Sequence, residues 1–122
     1  MSRVIHFEIT AKDPEMSVVF YKKVFGWKFE KWDGPMEYWL ISTGDNSEEG
    51  INGGLGRRGD EPPGTVNTID VPDAKEYLKA IEKNGGKVIS PVHAIPGVGW
   101  AAYFEDPDGN QWGIMQDDPG AK

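Results

Sequence analysis

The sequence contains no cysteine and only two histidines, His6 and His93, among its 122 residues. Without cysteine there are no disulfide bonds, no thiolate metal ligands and no cysteine nucleophile. No apolar run approaches the ~20 residues that cross a membrane, and the N-terminal residues lack the apolar segment of a signal peptide. These absences lead us to expect a cytoplasmic protein that folds without covalent crosslinks.

Positive charge is also scarce, with 13 Lys and Arg against 20 Asp and Glu and a net charge of −7. Nucleic acids and anionic membranes require a basic surface, so the charge balance argues against both as partners. Hydrophobic residues make up 38% of the chain and aromatic residues 11%. That content is typical of a globular domain, and a chain of this length buries roughly two-thirds of its unfolded surface.

The first strand is predicted at Val4–Thr10, where apolar and polar residues alternate strictly. Alternation is typical of a strand that is buried on one face only, so its isoleucines and Phe7 should pack against a helix. His6 and Glu8 then lie side by side on the opposite face of the strand, which should border an opening.

Signals for helix ends bracket two helices. Asp13 is the predicted N-cap of the first helix, which should end at Gly26 in a left-handed conformation. Asp73 is the predicted N-cap of the second helix, which should end at Asn84. Seven further strands are predicted at Trp27–Trp32, Glu37–Thr43, Ile51–Arg58, Thr65–Val71, Lys87–His93, Gly99–Glu105 and Gln111–Gln116.

One of these strands, Ile51–Arg58, is unusually rich in glycine. Gly53, Gly54 and Gly56 weaken its strand propensity, which predicts that another group approaches its backbone closely or that the strand bends there. The tail from Asp117 onward carries no strong structural signal, and we expect it to fray.

The order of elements is βαβββ, and it occurs twice. Residues 26–29 match residues 85–88 at an offset of 59 positions. A repeat of this kind predicts an α+β fold made of two βαβββ modules. The modules should span residues 1–59 and 64–117 within a single domain, residues 1–122.

Four segments carry a family resemblance, namely His6-Phe7-Glu8-Ile9, Asp13-Pro14-Glu15, Phe20-Tyr21-Lys22-Lys23-Val24-Phe25-Gly26-Trp27 and Phe104-Glu105-Asp106-Pro107-Asp108-Gly109-Asn110. Together they resemble the vicinal oxygen chelate superfamily, which contains glyoxalase I, the bleomycin-resistance proteins and the extradiol dioxygenases. The glycine-rich strand looks like an uncharacterised, glyoxalase-related branch. The resemblance implies paired βαβββ modules that form a curved mixed sheet, a ligand in the cup of that sheet, and a homodimer.

Metal-using members of the superfamily place their ligands on four strands around the cup. The matching positions of this sequence are His6, Val66, Gly113 and residues 52–54. Valine and glycine have no donor side chain, whereas a catalytic metal normally takes about three protein ligands. We therefore expect no metal or other cofactor, with a divalent ion bound through His6 as the alternative.

His6 and Glu8 are the candidate catalytic residues, because a carboxylate beside an imidazole orients the ring and raises its pKa. The alternative is that both are polar residues lining a wet cavity. Arg57 is a candidate ligand-binding residue, since a guanidinium can clamp a carboxylate or phosphate with two hydrogen bonds. The alternative is a solvated strand end.

Aromatic side chains could line a flat apolar pocket for an unsaturated ligand, unless they pack under the helices instead. If Gly113 faces the cup, the residues two positions away on either side face it too, while Trp112 and Ile114 turn to the helix side. The remaining predicted ligand-binding residues are Trp39, Trp100, Tyr103, Gln111 and Met115.

We thus expect a superfamily protein that binds a small organic molecule in its cup without the usual metal. One alternative is a metal-dependent lyase or isomerase resembling lactoylglutathione lyase, which the poor ligand set disfavours. The other is a resistance-type protein that sequesters a toxic compound without chemistry. The sequence does not separate binding with chemistry from binding alone.

Overall fold

A computed structural model describes residues 2–122 of the chain. The elements follow the order βαβββ twice, so the predicted α+β fold of two βαβββ modules is confirmed. Two compact units result: residues 6–65, called here the first module, and residues 66–122 with residues 2–5, called the second module. Each strand is described with the module that holds most of its residues. No helix of the described residues is long and apolar enough to cross a membrane.

The first module has one helix and a four-stranded mixed sheet. Its strands follow one another across the sheet in the order β2-β3-β4-β1. β1 and β4 run parallel, whereas β3 is antiparallel to both of its neighbours. The elements are β1 (Val4–Ala11), α1 (Pro14–Phe25), β2 (Lys28–Lys31), β3 (Tyr38–Ser42) and β4 (Asn52–Arg57).

The second module repeats this arrangement, with its strands in the order β5-β8-β7-β6. β5 and β8 run parallel, and the other pairs are antiparallel. The backbone N–H of Asp70 donates to the carbonyl of Arg3 at 2.8 Å, within the same module. The elements are β5 (Thr65–Asp70), α2 (Ala74–Lys83), β6 (Lys87–Ile95), β7 (Gly99–Glu105) and β8 (Gln111–Asp117).

The predicted helix ends are confirmed. The Asp13 carboxylate accepts a hydrogen bond from the N–H of Met16 at 3.2 Å, and Asp73 accepts one from Glu76 at the same distance. Gly26 closes α1 with a φ of 72°, a left-handed conformation that glycine adopts without steric cost. Each cap satisfies backbone groups that the helix itself leaves unpaired.

Each module has its own hydrophobic core on the side of the sheet that carries the helix. The buried residues of the first core are Ala11, Trp39, Ile41 and Leu55, with Phe7, Ile9, Val18, Trp27 and Phe29 packed against them. Those of the second core are Val71, Ala74, Leu78, Ala102, Phe104 and Ile114, joined by Ile69, Ile81, Val88, Val92, Trp100 and Trp112.

The structure confirms the prediction that other groups approach the backbone of the glycine-rich strand closely. A Cβ built on Gly54 would collide with the ring and hydroxyl of Tyr38, and one built on Gly53 would crowd the side chain of Phe7. Successive residues of a strand point to opposite faces, so the two glycines admit one aromatic ring on each face of the sheet.

The prediction that the tail frays from Asp117 is wrong. β8 continues through Asp117, and the N–H of Asp118 donates to the carbonyl of Val98 at 3.0 Å. Ala121 is only 3% exposed, and its carbonyl accepts a hydrogen bond from Gly97 at 3.1 Å. The tail does not fray although it lies at the end of the chain, because these hydrogen bonds hold it against the turn between β6 and β7.

Candidate functional site

The face of the first module opposite its core carries the two candidate catalytic residues. In the register of β1 and β4, His6 lies opposite Asn52 and Glu8 lies opposite Gly54. Tyr38 of β3 lies opposite Gly56, which places it on the same face as Gly54 and Glu8. We call His6, Glu8 and Tyr38 together the polar face.

The three side chains of the polar face form one row of hydrogen bonds. The Tyr38 hydroxyl donates to Oε2 of Glu8 at 3.2 Å. The Nε2 atom of His6 lies 3.1 Å from the same hydroxyl oxygen. All three residues are half-buried. The structure therefore brings the two predicted catalytic residues together, and it does so through Tyr38, which is not among the predicted site residues.

The pKa of His6 departs from expectation. Burial lowers it below its ordinary value of 6.5, and the negative charge of Glu8 opposes that shift without reversing it. The expectation that Glu8 raises the pKa is correct for the charge alone but wrong for the net effect, because desolvation is the larger cause. At neutral pH the imidazole is accordingly uncharged and able to accept a proton.

Trp39, a predicted ligand-binding residue, lies away from the polar face. It is 8% exposed and belongs to the core of the first module, opposite Leu55 in the sheet. The ammonium group of Lys31 lies 5.3 Å from the centre of its ring. Its position gives Trp39 a packing role, and its neighbour Tyr38 is the aromatic residue beside His6.

Arg57 forms the predicted two-bond clamp, but its carboxylate partner belongs to the chain itself. Its Nε and Nη2 atoms donate to the two carboxylate oxygens of Glu37 at 2.9 and 2.8 Å, and Nη1 donates to the carbonyl of Lys12 at 3.0 Å. The hydrogen bond from Arg57 holds the pKa of Glu37 below its ordinary value. A ligand would have to displace Glu37, so the binding role of Arg57 stays a prediction.

In the second module, Tyr103 pairs with Gly113 across β7 and β8, and Met115 pairs with Ala101. Gln111, at the start of β8, is exposed and pairs with Glu105. These predicted ligand-binding residues share one face of the second module. The expectation that Trp112 and Ile114 turn to the helix side is confirmed, since both belong to the core around α2.

Trp100 lies on the helix side of the second module, unlike Tyr103. It packs against the core, and its indole N–H donates to the carboxylate of Asp118 at 2.9 Å. His93 is exposed and stacks on the Tyr103 ring with centres 6.3 Å apart. Its Nδ1 atom lies 3.2 Å from the carbonyl oxygen of Pro91. The predicted strand end at His93 is wrong, because β6 continues to Ile95 and His93 pairs with Ala101 of β7.

The residues present do not fit the divalent ion of the metal-using members. Among residues 2–122, no three His, Cys, Asp or Glu side chains come together in a way that could hold an ion. The position of Gly113 also has little space for a side chain that could act as a ligand. A Cβ on Gly113 would lie 3.2 Å from Oγ1 of Thr68 and 3.3 Å from the Tyr103 ring, tighter than an ordinary contact. No chemical step is therefore assigned to a metal.

Comparison with known proteins supports the family directly. A family model described as the Glyoxalase/Bleomycin resistance protein/Dioxygenase superfamily matches residues 3–114. A glyoxylase-like domain-containing protein of Didymella fabae is 34% identical over 116 residues, covering 88% of each chain.

Solved structures support the fold. A hypothetical protein of Bacillus halodurans C-125 matches with a TM-score of 0.73 at 16% identity, covering 99% of this chain and 98% of the other. A methylmalonyl-CoA epimerase variant of Streptomyces coelicolor, in complex with 2-nitronate-propionyl-CoA, matches with the same score and identity over 100% and 99% of the two chains. These identities are too low to transfer an activity. The family match and the fold agree with the motifs, and the chain belongs to the glyoxalase/bleomycin resistance protein/dioxygenase superfamily.

Proposed function

We propose that this protein binds a small organic molecule over the polar face of the first module and that His6 exchanges a proton with that molecule. The observation that carries the proposal is the hydrogen-bonded row of His6, Tyr38 and Glu8. Such a row holds an imidazole in a fixed orientation near a negative charge, an arrangement that suits general acid–base catalysis by histidine.

The electrostatics of the row suit a proton acceptor. A histidine that acts as a general base must be uncharged before it reacts, and burial lowers the pKa of His6, which favours the uncharged form. Once His6 has taken up a proton, the Glu8 carboxylate stabilises the new positive charge through Tyr38. His6 returns the proton in a later step, as an isomerisation by proton transfer requires.

The proposed chemistry needs no metal, in keeping with the lack of a suitable donor set among residues 2–122. Epimerisation, the activity named for several structural neighbours, also requires a group that removes a proton from carbon and one that returns it. That likeness concerns the fold alone, and a fold hosts many reactions. It leaves both the reaction and the substrate open, and the proposal depends on the row of His6, Tyr38 and Glu8.

The test begins with a thermal-shift screen of small metabolites, because a ligand that binds the folded state raises the melting temperature. The screen uses the wild type, the variant His6→Gln and the matched control His93→Gln, which changes the exposed histidine. We expect a ligand that stabilises all three proteins and turnover that only His6→Gln loses, by roughly 10²- to 10⁴-fold.

Other outcomes separate the alternatives. Turnover that survives in His6→Gln would contradict the proton-transfer role. Tight ligand binding without turnover in the wild type would favour sequestration. Stoichiometric, tight binding of Ni, Zn, Mn or Fe(II) in a titration of the purified protein would favour the metal-dependent alternative.

A further inference from the structure

Two contacts, one with Gly54 and one with Trp32, hold the ring of Tyr38 in place. Its ring lies directly over Gly54, where any side chain would collide with it. The ring of Trp32 meets it edge-on with centres 6.2 Å apart and an angle of 80° between the planes. Glycine on one side and tryptophan on another therefore fix where the hydroxyl of Tyr38 stands.

The direction of the hydrogen bond between Tyr38 and Glu8 bears on which nitrogen of His6 carries the proton. A phenol has a single proton, and Tyr38 donates it to the Glu8 carboxylate, which as an ion only accepts. The Tyr38 oxygen can then only accept from Nε2 of His6, 3.1 Å away. An uncharged imidazole holds one N–H, so with the proton on Nε2 the lone pair is on Nδ1. In the described part of the chain, Nδ1 of His6 makes no hydrogen bond.

We infer that Tyr38 is a positioning residue, whose hydroxyl, wedged over Gly54, holds His6 in the Nε2–H form so that Nδ1 is the atom that takes a proton from the ligand. This inference rests on the proposed function, in which His6 exchanges a proton. It narrows the ligand class to molecules that present an acidic C–H, N–H or O–H group to Nδ1.

The first experiment observes the two histidine rings of the ligand-free protein by long-range ¹H–¹⁵N NMR, which distinguishes a protonated from an unprotonated ring nitrogen. The variant His93→Gln assigns the signals, since the chain has only two histidines. We expect His6 to carry its proton on Nε2 in the wild type. In Tyr38→Phe the Nε2–H group loses its acceptor, so its signal should weaken. The proton then exchanges with solvent, and part of the population adopts the Nδ1–H tautomer.

The matched control is Tyr21→Phe, which removes a hydroxyl from the aromatic cluster of α1. Tyr21 stacks on Trp27 with centres 5.2 Å apart, on the helix side of the module. We expect this variant to leave the His6 signals unchanged. A wild-type His6 with its proton on Nδ1, or an unchanged Nε2–H signal in Tyr38→Phe, would overturn the inference.

The second experiment moves Tyr38 without removing its hydroxyl. In Gly54→Ala the new methyl group occupies the place of the Tyr38 ring, whereas in Gly56→Ala it meets only the ring edge at an ordinary 3.9 Å. We expect Gly54→Ala to reproduce the NMR change of Tyr38→Phe and Gly56→Ala to resemble the wild type. Equal spectra for the two alanine variants would contradict the inference that the contact with Gly54 holds the Tyr38 hydroxyl in place.

Measurements of activity in two variants distinguish a failure of the positioning role from a failure of the proposed function. With a substrate from the screen, Tyr38→Phe should lower kcat by roughly 10- to 100-fold and leave KM nearly unchanged, the loss typical of a group that orients a catalytic residue. If turnover survives in His6→Gln, the proposed function fails whatever the NMR result. If His6→Gln is inactive but Tyr38→Phe keeps full kcat, the positioning role alone fails.

Discussion

Tyr38 and Glu8, which stand 30 residues apart in the sequence, share a hydrogen bond of 3.2 Å across the sheet of the first module. The bond exists because β4 lies between the two strands that carry them and presents glycine where the phenol ring crosses. The second module has a related arrangement, in which the Tyr103 ring lies against Gly113. Gly54 and Gly113 are 59 positions apart, the offset of the sequence repeat.

Gly54→Ala and Gly56→Ala should differ in stability as well as in their NMR spectra. Overpacking at Gly54 should lower the free energy of unfolding by about 1–3 kcal/mol, because the Tyr38 ring has to move. Gly56 has room for a methyl group and no positive φ, so its replacement should raise that free energy by about 0.4–1 kcal/mol. Denaturant unfolding of both variants measures the difference, and equal midpoints would contradict it.

The lowered pKa of His6 should make stability depend on pH. Between the folded-state pKa and 6.5, the unfolded chain binds more protons at His6 than the folded chain does, so the free energy of unfolding rises with pH. The contribution of uncharged His6 is complete above pH 6.5 and is lost as the pH falls through the folded-state pKa. Burial of the ring is the larger cause of this lowered pKa, and the negative charge of Glu8, which faces the ring together with Tyr38, opposes it.

The measurement compares urea unfolding of the wild type and His6→Gln at several pH values. We expect the stability of the wild type to fall more steeply below pH 6.5 than that of His6→Gln. Parallel curves for the two proteins would show that His6 titrates alike in the folded and unfolded chains, against this expectation.

Trp39 should prove essential to the core and dispensable for ligand binding. Trp39→Ala removes a large buried ring from the first core and should cost about 3–5 kcal/mol of unfolding free energy. Leu40→Ala, at the next position and 43% exposed, is the matched control and should cost far less. Trp39→Phe keeps an aromatic ring in the core, so the affinity for a ligand from the screen should stay unchanged. A loss of affinity in this variant would support the ligand-binding role predicted for Trp39.

The C-terminal tail should resist hydrogen exchange. The amide of Asp118 donates to the carbonyl of Val98 in the turn between β6 and β7, and the amide of Ala121 donates to the carbonyl of Asp118. We expect both amides to exchange more slowly than that of Gly64, which lies in the exposed segment before β5. Exchange at the rate of an unstructured peptide at Asp118 and Ala121 would support the fraying that the sequence suggested.

Local signals in the sequence account for most of the fold. Capping residues such as Asp13 and Gly26 act on the backbone next to them, so their roles follow from neighbouring positions alone. Alternation placed His6 and Glu8 on one face of β1, because that strand alternates clearly between polar and apolar residues. In β8 the family resemblance supplied the orientation of Gly113, and alternation from there placed Ile114 on the helix side.

The parts of the site that the sequence missed depend on contacts between distant residues. In β3, both Tyr38 and Trp39 are aromatic, so alternation could not tell which of them faces the core. The partner of Arg57 is Glu37, 20 positions away and on the other side of a turn. The pKa of His6 depends on burial, which only the folded chain defines.

The fit between Gly54 and Tyr38 couples the two positions in evolution. A larger residue at position 54 has no place while tyrosine remains at position 38, so the favourable order of change is to lose the phenol first. Related sequences that keep tyrosine at position 38 should therefore carry glycine at position 54. Lineages with a side chain at position 54 should have a histidine environment of a different kind, and with it a different chemistry.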